Sequence, residues 1–242
     1  MNKLRQLWQL AFGDAEPVID AFFDTAWSPG RCRYLTEGQD VTAALYWLDG
    51  ELAGEKYAYI YGVATHPDYR GRGLCRQLME LTREQLAREG YAGALLMPAD
   101  PGLRRMYAGM GYRDCGGLRE FSCEAAGEAA EVRTVGPEEY AALRRKYLPE
   151  RGLIQEKENL AYLTTYAQLY AGEDFLLMAV HEKDALFGME LLGNAHRAPG
   201  ILKAMGYEKG TFRTPGREKA FGMYLALRED APEPDYLGLA FD

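Results

Sequence analysis

The spacing of apolar positions changes several times along the chain, and each change predicts a new element. Leu4, Leu7, Trp8 and Phe12 recur at helical intervals, and Gly13-Asp14 ends the run. A second helical stretch follows Pro17 through Val18, Ile19, Phe22, Phe23 and Ala26, and stops at Ser28-Pro29-Gly30. The period then shortens. Cys32 to Leu35 and Val41 to Leu48 read as strands, Asp49-Gly50 as a turn, and Lys56 to Thr65 as the clearest strand. Its alternation places Tyr57, Tyr59 and Tyr61 on one face. After a glycine-containing loop, Leu74, Leu78, Leu81 and Leu86 predict a helix to Glu89-Gly90. A strand over Ala92 to Met97, a helix over Leu103 to Gly109 and a strand over Leu118 to Cys123 follow.

The segment Glu124 to Ala130 has no period and reads as a linker. Beyond it come a helix through Tyr140, Leu143 and Tyr147, and a helix over Asn159 to Tyr170. Strands are expected over Phe175 to Val180 and Ala185 to Leu192, a short helix over Ile201 to Met205, and a strand over Phe221 to Leu227. The halves share an order: apolar strand, Pro-Gly, short helix, Met-Gly-Tyr. It occurs at Ala94 to Tyr112 and again at Met189 to Tyr207. Helix endings of this kind are common, but the shared order reads as an internal duplication. The expected domains are 1–123 and 131–242, joined by 124–130.

Composition narrows the class. The 242 residues are 48% hydrophobic and 26% charged, within the globular range. The formal net charge of -8 argues against a nucleic-acid binder, because phosphate binding needs a basic surface. No apolar run approaches the roughly 20 residues that span a bilayer, so no membrane partner is expected. Gln6 and Gln9 interrupt the first apolar stretch, which is not a signal-peptide core. Cys32, Cys75, Cys115 and Cys123 form no C-x-x-C pair and His66, His181 and His196 are scattered, so no metal site is expected. Free thiols and no export signal lead to an expected cytoplasmic location.

The segment Val63 to Arg76 carries the chemistry. A strand ends, Arg70-Gly71-Arg72-Gly73 turns, and a helix begins. Glycine lets a backbone N–H face a ligand without steric cost, and the first-turn N–H groups of a helix have no intrahelical acceptor. Together they make an anion site, to which Arg70, Arg72 and Arg76 add positive charge. A Walker loop and a dinucleotide fingerprint are both absent. A tight turn with solvated arginines is the competing reading.

The stretch resembles motif A of the GNAT acyltransferase superfamily, Gln/Arg-x-x-Gly-x-Gly/Ala. Arg70 and Gly73 match, and Cys75 stands at the last position, which is Gly or Ala in the family. The order downstream, a strand at Ala92 to Met97 and then a helix carrying Tyr107, is also similar, and the resemblance covers about Leu4 to Cys123. It implies an α+β fold with a mixed sheet: an N-terminal acetyl-CoA-binding GNAT domain and a degenerate GNAT-like C-terminal half, as in bacterial tandem-GNAT acetyltransferases. It further implies that Val63, Ala64 and Thr65 bond the pantetheine arm. The backbone of Gly71, Arg72, Gly73, Leu74, Cys75 and Arg76, beside Arg70, would hold the pyrophosphate.

For catalysis the resemblance implies Tyr107 as general acid toward the CoA sulfur and the Val63 amide as oxyanion donor. A core aromatic is the other reading of Tyr107. The family's glutamate position falls near Tyr57, so Glu55 is the candidate base, against a solvated turn carboxylate or a water relay along the tyrosine row. That row also reads as an amine-binding wall or as plain sheet packing. In the second half Leu202 stands where Tyr107 does, and only His181-Glu182-Lys183-Asp184 separates two strands, too short for a loop and helix. The implied activity is acetyl-CoA-dependent N-acetylation of a primary amine. The acidic balance, with Glu37, Asp40 and Glu55, favours a small cationic acceptor. A non-catalytic CoA-binding module and a protein or peptide N-acetyltransferase are the alternatives, and a homodimer is left open.

Overall fold

The computed structural model describes residues 2–240, and residues 1, 241 and 242 of the expected domain ranges lie outside them. The chain forms two compact units. The first runs up to Arg113 and adds Tyr224–Pro232; the second is Asp114–Met223 with Glu233 onward.

In the first unit, helices α1 (Asn2–Phe12) and α2 (Glu16–Thr25) precede strands β1 (Cys32–Glu37), β2 (Asp40–Leu52) and β3 (Glu55–Thr65). Helix α3 (Leu74–Arg88), strand β4 (Gly93–Leu96) and helix α4 (Pro101–Ala108) complete the first pass of the chain. The sheet order is β1-β2-β3-β4, and residues 224–226 continue it beyond β4. Trp8 of α1 and Phe22 of α2 stack at 4.8 Å, and both rings rest on Tyr46 and Tyr61 of the sheet. That aromatic contact fixes the two helices on β2 and β3.

Asp49-Gly50 is not the turn its composition predicts. Strand β2 runs through it, pairing Asp49 with Ala58 and Gly50 with Tyr57. The turn is Ala53-Gly54, with φ of 53° and 79°. Two successive left-handed residues make the tight hairpin turn whose twist matches antiparallel strands. Asp49 instead accepts a bond from the Tyr91 hydroxyl at 2.5 Å.

Strand β3 carries a bulge. Tyr61 faces Tyr46 and Ala64 faces Ala44, so Gly62 and Val63 oppose Leu45 alone. Gly62 has φ +58, and a Cβ there would stand 3.0 Å from Trp8 Cζ3 and from Tyr46 Cδ2. The extra residue turns the strand locally. The parallel pairing with β4 ends at Tyr59↔Leu95, and β3 continues to Thr65 beyond it.

The second unit contains β5 (Arg113–Glu124, from Asp114 on), β6 (Arg133–Thr134), α5 (Pro137–Tyr147), β7 (Ile154–Gln155) and α6 (Glu158–Leu163). It continues with β8 (Gln168–Ala171), β9 (Phe175–His181), β10 (Leu186–Gly193), α7 (Ala198–Met205), β11 (Lys209–Pro215) and β12 (Lys219–Ala226, to Met223 here). Its sheet order is β5-β11-β10-β9-β8-β6. The expected helix over Asn159 to Tyr170 stops at Leu163. Thr164 and Thr165 turn their hydroxyls back onto the carbonyls of Leu160 and Tyr162, and Gln168–Ala171 pairs with β9 instead. Residues 124–130 pack on α7: Ala130 N–H donates to Gly200 C=O at 3.0 Å, and Lys203 Nζ to Gly127 C=O at 2.6 Å.

The paired helix endings are alike in detail. Tyr112 N–H donates to Tyr107 C=O at 3.1 Å, and Tyr207 N–H to Leu202 C=O at 3.0 Å. Each bond spans a left-handed glycine, Gly111 or Gly206.

The core of the second unit contains a charge pair. Arg144, 1% exposed, holds Glu190, 0% exposed, through two bonds of 2.8 and 2.9 Å. Tyr140 donates to the same carboxylate at 2.9 Å, and Arg144 also donates to Leu153 C=O at 2.9 Å. Burying two ions is costly, and this geometry offsets the cost by satisfying nearly every donor.

Replacing Arg144 by Leu strands a buried carboxylate and is expected to cost about 3–5 kcal/mol in urea denaturation, with the Arg144→Leu/Glu190→Leu pair recovering much of it. Gly62→Ala is expected to cost at least about 1–2 kcal/mol, from the left-handed backbone alone.

Candidate functional site

The loop after β3 is built from a short series of local bonds. His66 N–H holds Thr42 C=O at 2.9 Å, and Tyr69 N–H closes on His66 C=O at 2.9 Å. The Tyr69 hydroxyl donates to Asp40 at 3.1 Å, and Arg72 lies 3.5 Å from Glu37, with its guanidinium 4.8 Å over the Tyr69 ring. Bonding to Asp40 raises the Tyr69 pKa, because the carboxylate favours the phenol over the phenolate. The tip of the β1–β2 hairpin therefore braces the loop.

Gly71 and Gly73 both have φ of +77, and nothing lies within 4 Å of where a Cβ would stand on either. Gly73 caps α3, and the first bond of that helix is Gln77 N–H to Gly73 C=O at 3.1 Å. The first-turn amides ahead of Gln77 have no intrahelical acceptor. The left-handed glycines aim the chain so that these amides and the positive end of the helix dipole face the same space. A dipole of this kind stabilises an anion by about 0.3–2 kcal/mol.

That space is a cavity of about 500 Å³. Val63, Ala64 and Thr65 line one side where β3 has outrun β4, and Arg70, Gly71, Gly73, Leu74, Cys75 and Arg76 line its end. Leu103, Met106, Tyr107 and Met110 line the far wall. Their spacing puts all four on one face of α4 and the turn that follows it. Arg76 ties the two helices together, donating to Gly109 C=O at 3.2 Å. Arg70 Nε lies 3.4 Å from Thr65 C=O.

Tyr107 is 6% exposed. Burial pushes its pKa up, with the nearby Cys75 and Tyr112 adding to the shift, so the phenol keeps its proton at neutral pH. Burial also raises the Cys75 thiol, against the opposing charge of Arg76. Both groups enter the cavity uncharged.

The structure thus brings together most of the residues read from the sequence: Val63, Ala64, Thr65, Arg70, Gly71, Gly73, Leu74, Cys75, Arg76 and Tyr107. It leaves two outside. Arg72 is turned to Glu37 and Tyr69 and does not line the cavity. Glu55 stands at the opposite end of β3, eight residues or about 26 Å of strand from Val63, and pairs with Arg228 at 2.7 Å. The tyrosine row is also committed elsewhere: Tyr57 donates to Pro232 C=O at 2.5 Å, and Tyr61 packs on Trp8. Of the acidic residues expected near an amine, Glu37 and Asp40 brace the loop, and none of the three lines the cavity. Ala11, Phe12, Tyr69, Leu103, Met106 and Met110 line the cavity beyond the residues expected from the sequence. Ala11 and Phe12 carried no signal beyond their helix. Among the described residues no helix is long and apolar enough to cross a membrane.

Residues 1–115 match the family model of the acetyltransferase (GNAT) domain. Curated proteins give no match. Among solved structures, a GCN5-related N-acetyltransferase from Kribbella flavida superposes with a TM-score of 0.71 at 19% identity, covering 93% of this chain and 68% of that one. One from Anabaena variabilis gives 0.72 at 15% identity, covering 94% and 70%. Eis1 from Mycobacterium abscessus gives 0.67 at 10% identity, covering 93% and 71%. These likenesses extend the fold over both units. The chain therefore has the GNAT fold, and its residues 1–115 match a GNAT acetyltransferase domain, the domain of an acyltransferase.

Proposed function

We propose that the chain is an acetyl-CoA-dependent N-acetyltransferase acting on a primary amine. One observation carries the reading: the unpaired stretch of β3, the left-handed glycines and Tyr107 all line one cavity. GNAT domains use acetyl-CoA as acyl donor, and this cavity suits it by size and chemistry. Its volume of about 500 Å³ falls in the range of ligand pockets. The amides from Gly71 to Arg76 receive the pyrophosphate, with Arg70 beside them. The backbone of Val63 to Thr65, free of β4, bonds the pantetheine amides as a further strand would. The Val63 N–H, turned by the bulge, polarises the thioester carbonyl.

Tyr107 acts on the departing sulfur. A phenol held above its ordinary pKa is a poor match for a thiolate near 8.5, and each unit of mismatch costs about 1.4 kcal/mol. Tyr107 therefore stabilises the thiolate first by hydrogen bonding. It yields its proton as the new ammonium releases one, so no net proton is lost from the site. Arg72 contributes through its backbone N–H and braces the loop through its side chain. Glu55 has no part in the chemistry.

Thiol release from acetyl-CoA, measured against an amine panel, tests this. Tyr107→Phe is expected to lower kcat by about 10²-fold or more, with the KM for acetyl-CoA nearly unchanged. Glu55→Gln is expected to stay within about twofold of the parent, since its carboxylate faces Arg228. Gly73→Glu puts a carboxylate where the pyrophosphate sits and is expected to abolish both acetyl-CoA binding and turnover. Full activity in that variant overturns the reading. The alkaline limb is also fixed in sign. Because burial raises the Tyr107 pKa, kcat is expected not to fall between pH 7 and about 10, the ordinary tyrosine value.

A further inference from the structure

The lining of the cavity also bears on the acceptor, if the N-acetyltransferase reading above holds. Its charged side chains, among the described residues, are Arg70 and Arg76. A guanidinium cannot take a proton from an incoming ammonium. Burial holds Tyr107 and the Cys75 thiol in their protonated forms, and the bond to Asp40 does the same for Tyr69. Much of the remaining wall is apolar: Ala11 and Phe12 from the end of α1, and Leu103, Met106 and Met110 from the α4 wall. Phe12 is 46% exposed, and its edge meets Trp8 at 5.5 Å. A part-exposed apolar ring in the wall of a binding cavity offers a contact to an apolar group.

We infer that the acceptor is a primary amine of α-amino basicity carried on an apolar group, which Phe12 helps to select. Two physical facts converge on it. An α-amine with a pKa near 7.8 is about 10% neutral at pH 7, whereas an alkylamine near 10.4 is neutral for fewer than about one molecule in a thousand. A wall without a proton acceptor therefore favours the first by more than a hundredfold in reactive species. An apolar substituent meeting Phe12 and the methionines gains the free energy of leaving water, which a polyamine does not. In the reaction the amine nitrogen forms its bond to the acetyl carbon as the C–S bond breaks. The nitrogen's extra proton leaves, and the CoA sulfur gains one.

The test is thiol release at pH 7 with phenylalanine amide, alanine amide, Nα-acetyl-lysine amide and spermidine as acceptors. Phenylalanine amide is expected to show the highest kcat/KM, at least tenfold above Nα-acetyl-lysine amide and spermidine. Phe12→Ala is expected to narrow the ratio between phenylalanine amide and alanine amide by about tenfold. A preference for spermidine or Nα-acetyl-lysine amide overturns the inference, as does an unchanged ratio in Phe12→Ala. Turnover with none of the four also overturns it. In that case a thermal-shift measurement with acetyl-CoA separates the two failures: stabilisation leaves the donor site standing, and no stabilisation removes the reading beneath it too.

Discussion

A backbone amide that leaves a sheet ladder must find another acceptor or face water, and β3 meets that constraint over its last residues. Its parallel partner β4 stops at Leu96, while β3 runs on to Thr65. The unpaired edge is tolerable because it borders a cavity that a ligand backbone can enter. Everything else in the first unit is arranged around that edge. The bulge at Gly62 turns it, Trp8 covers the bulge, the glycine loop closes one end and the α4 face closes the side. In the same register, β4 would have to run on to residues 99–101 to pair Val63–Thr65 and close the cavity.

The loop was legible in the sequence because its chemistry is local. A strand, two glycines and a helix start lie within a dozen residues, and the requirement for positive φ excludes most other residue types. Tyr107 was legible because its helix has an unambiguous stop at Gly111. What failed was judgement of partners. Asp49-Gly50 has a turn composition, yet the strand passes through because the pairing with Ala58 and Tyr57, and the Tyr91 hydroxyl on Asp49, outweigh local preference. Glu55 lies two residues from Tyr57, where the family's glutamate is expected, and it stands at the end of the strand far from the loop, paired with Arg228. That pairing partner lies far off in sequence, where no spacing rule reaches. Phe12 read as an ordinary helix position, since nothing local distinguishes a residue that borders a cavity from one that faces water.

The second unit resolves a different problem. Its helix α7 ends on the same Met-Gly-Tyr and the same closing bond as α4, yet has Leu202 at the tyrosine position, and Leu202 is fully buried in an apolar cluster with Ile201 and Phe212. Its polar core is the Arg144–Glu190 pair, which also draws in Tyr140 and the carbonyl of Leu153. Gly238, with φ +78, passes so close to Glu190 that a Cβ would stand 2.2 Å from Oε1. The core of the second unit is thus built around a charge pair, where that of the first is built around aromatic rings.

Residues 224–232 belong to the first unit, although all of Asp114–Met223 separates them from the rest of it. Tyr224 packs on Tyr57 at 6.3 Å, Leu227 N–H bonds Ala92 C=O at 2.9 Å, and Pro232 accepts the Tyr57 hydroxyl. During synthesis, then, β4 emerges from the ribosome long before the strand that covers its edge. Until then the first unit has one strand edge open to wrong pairing. Completion of its sheet is deferred until all of Asp114–Met223 has been translated.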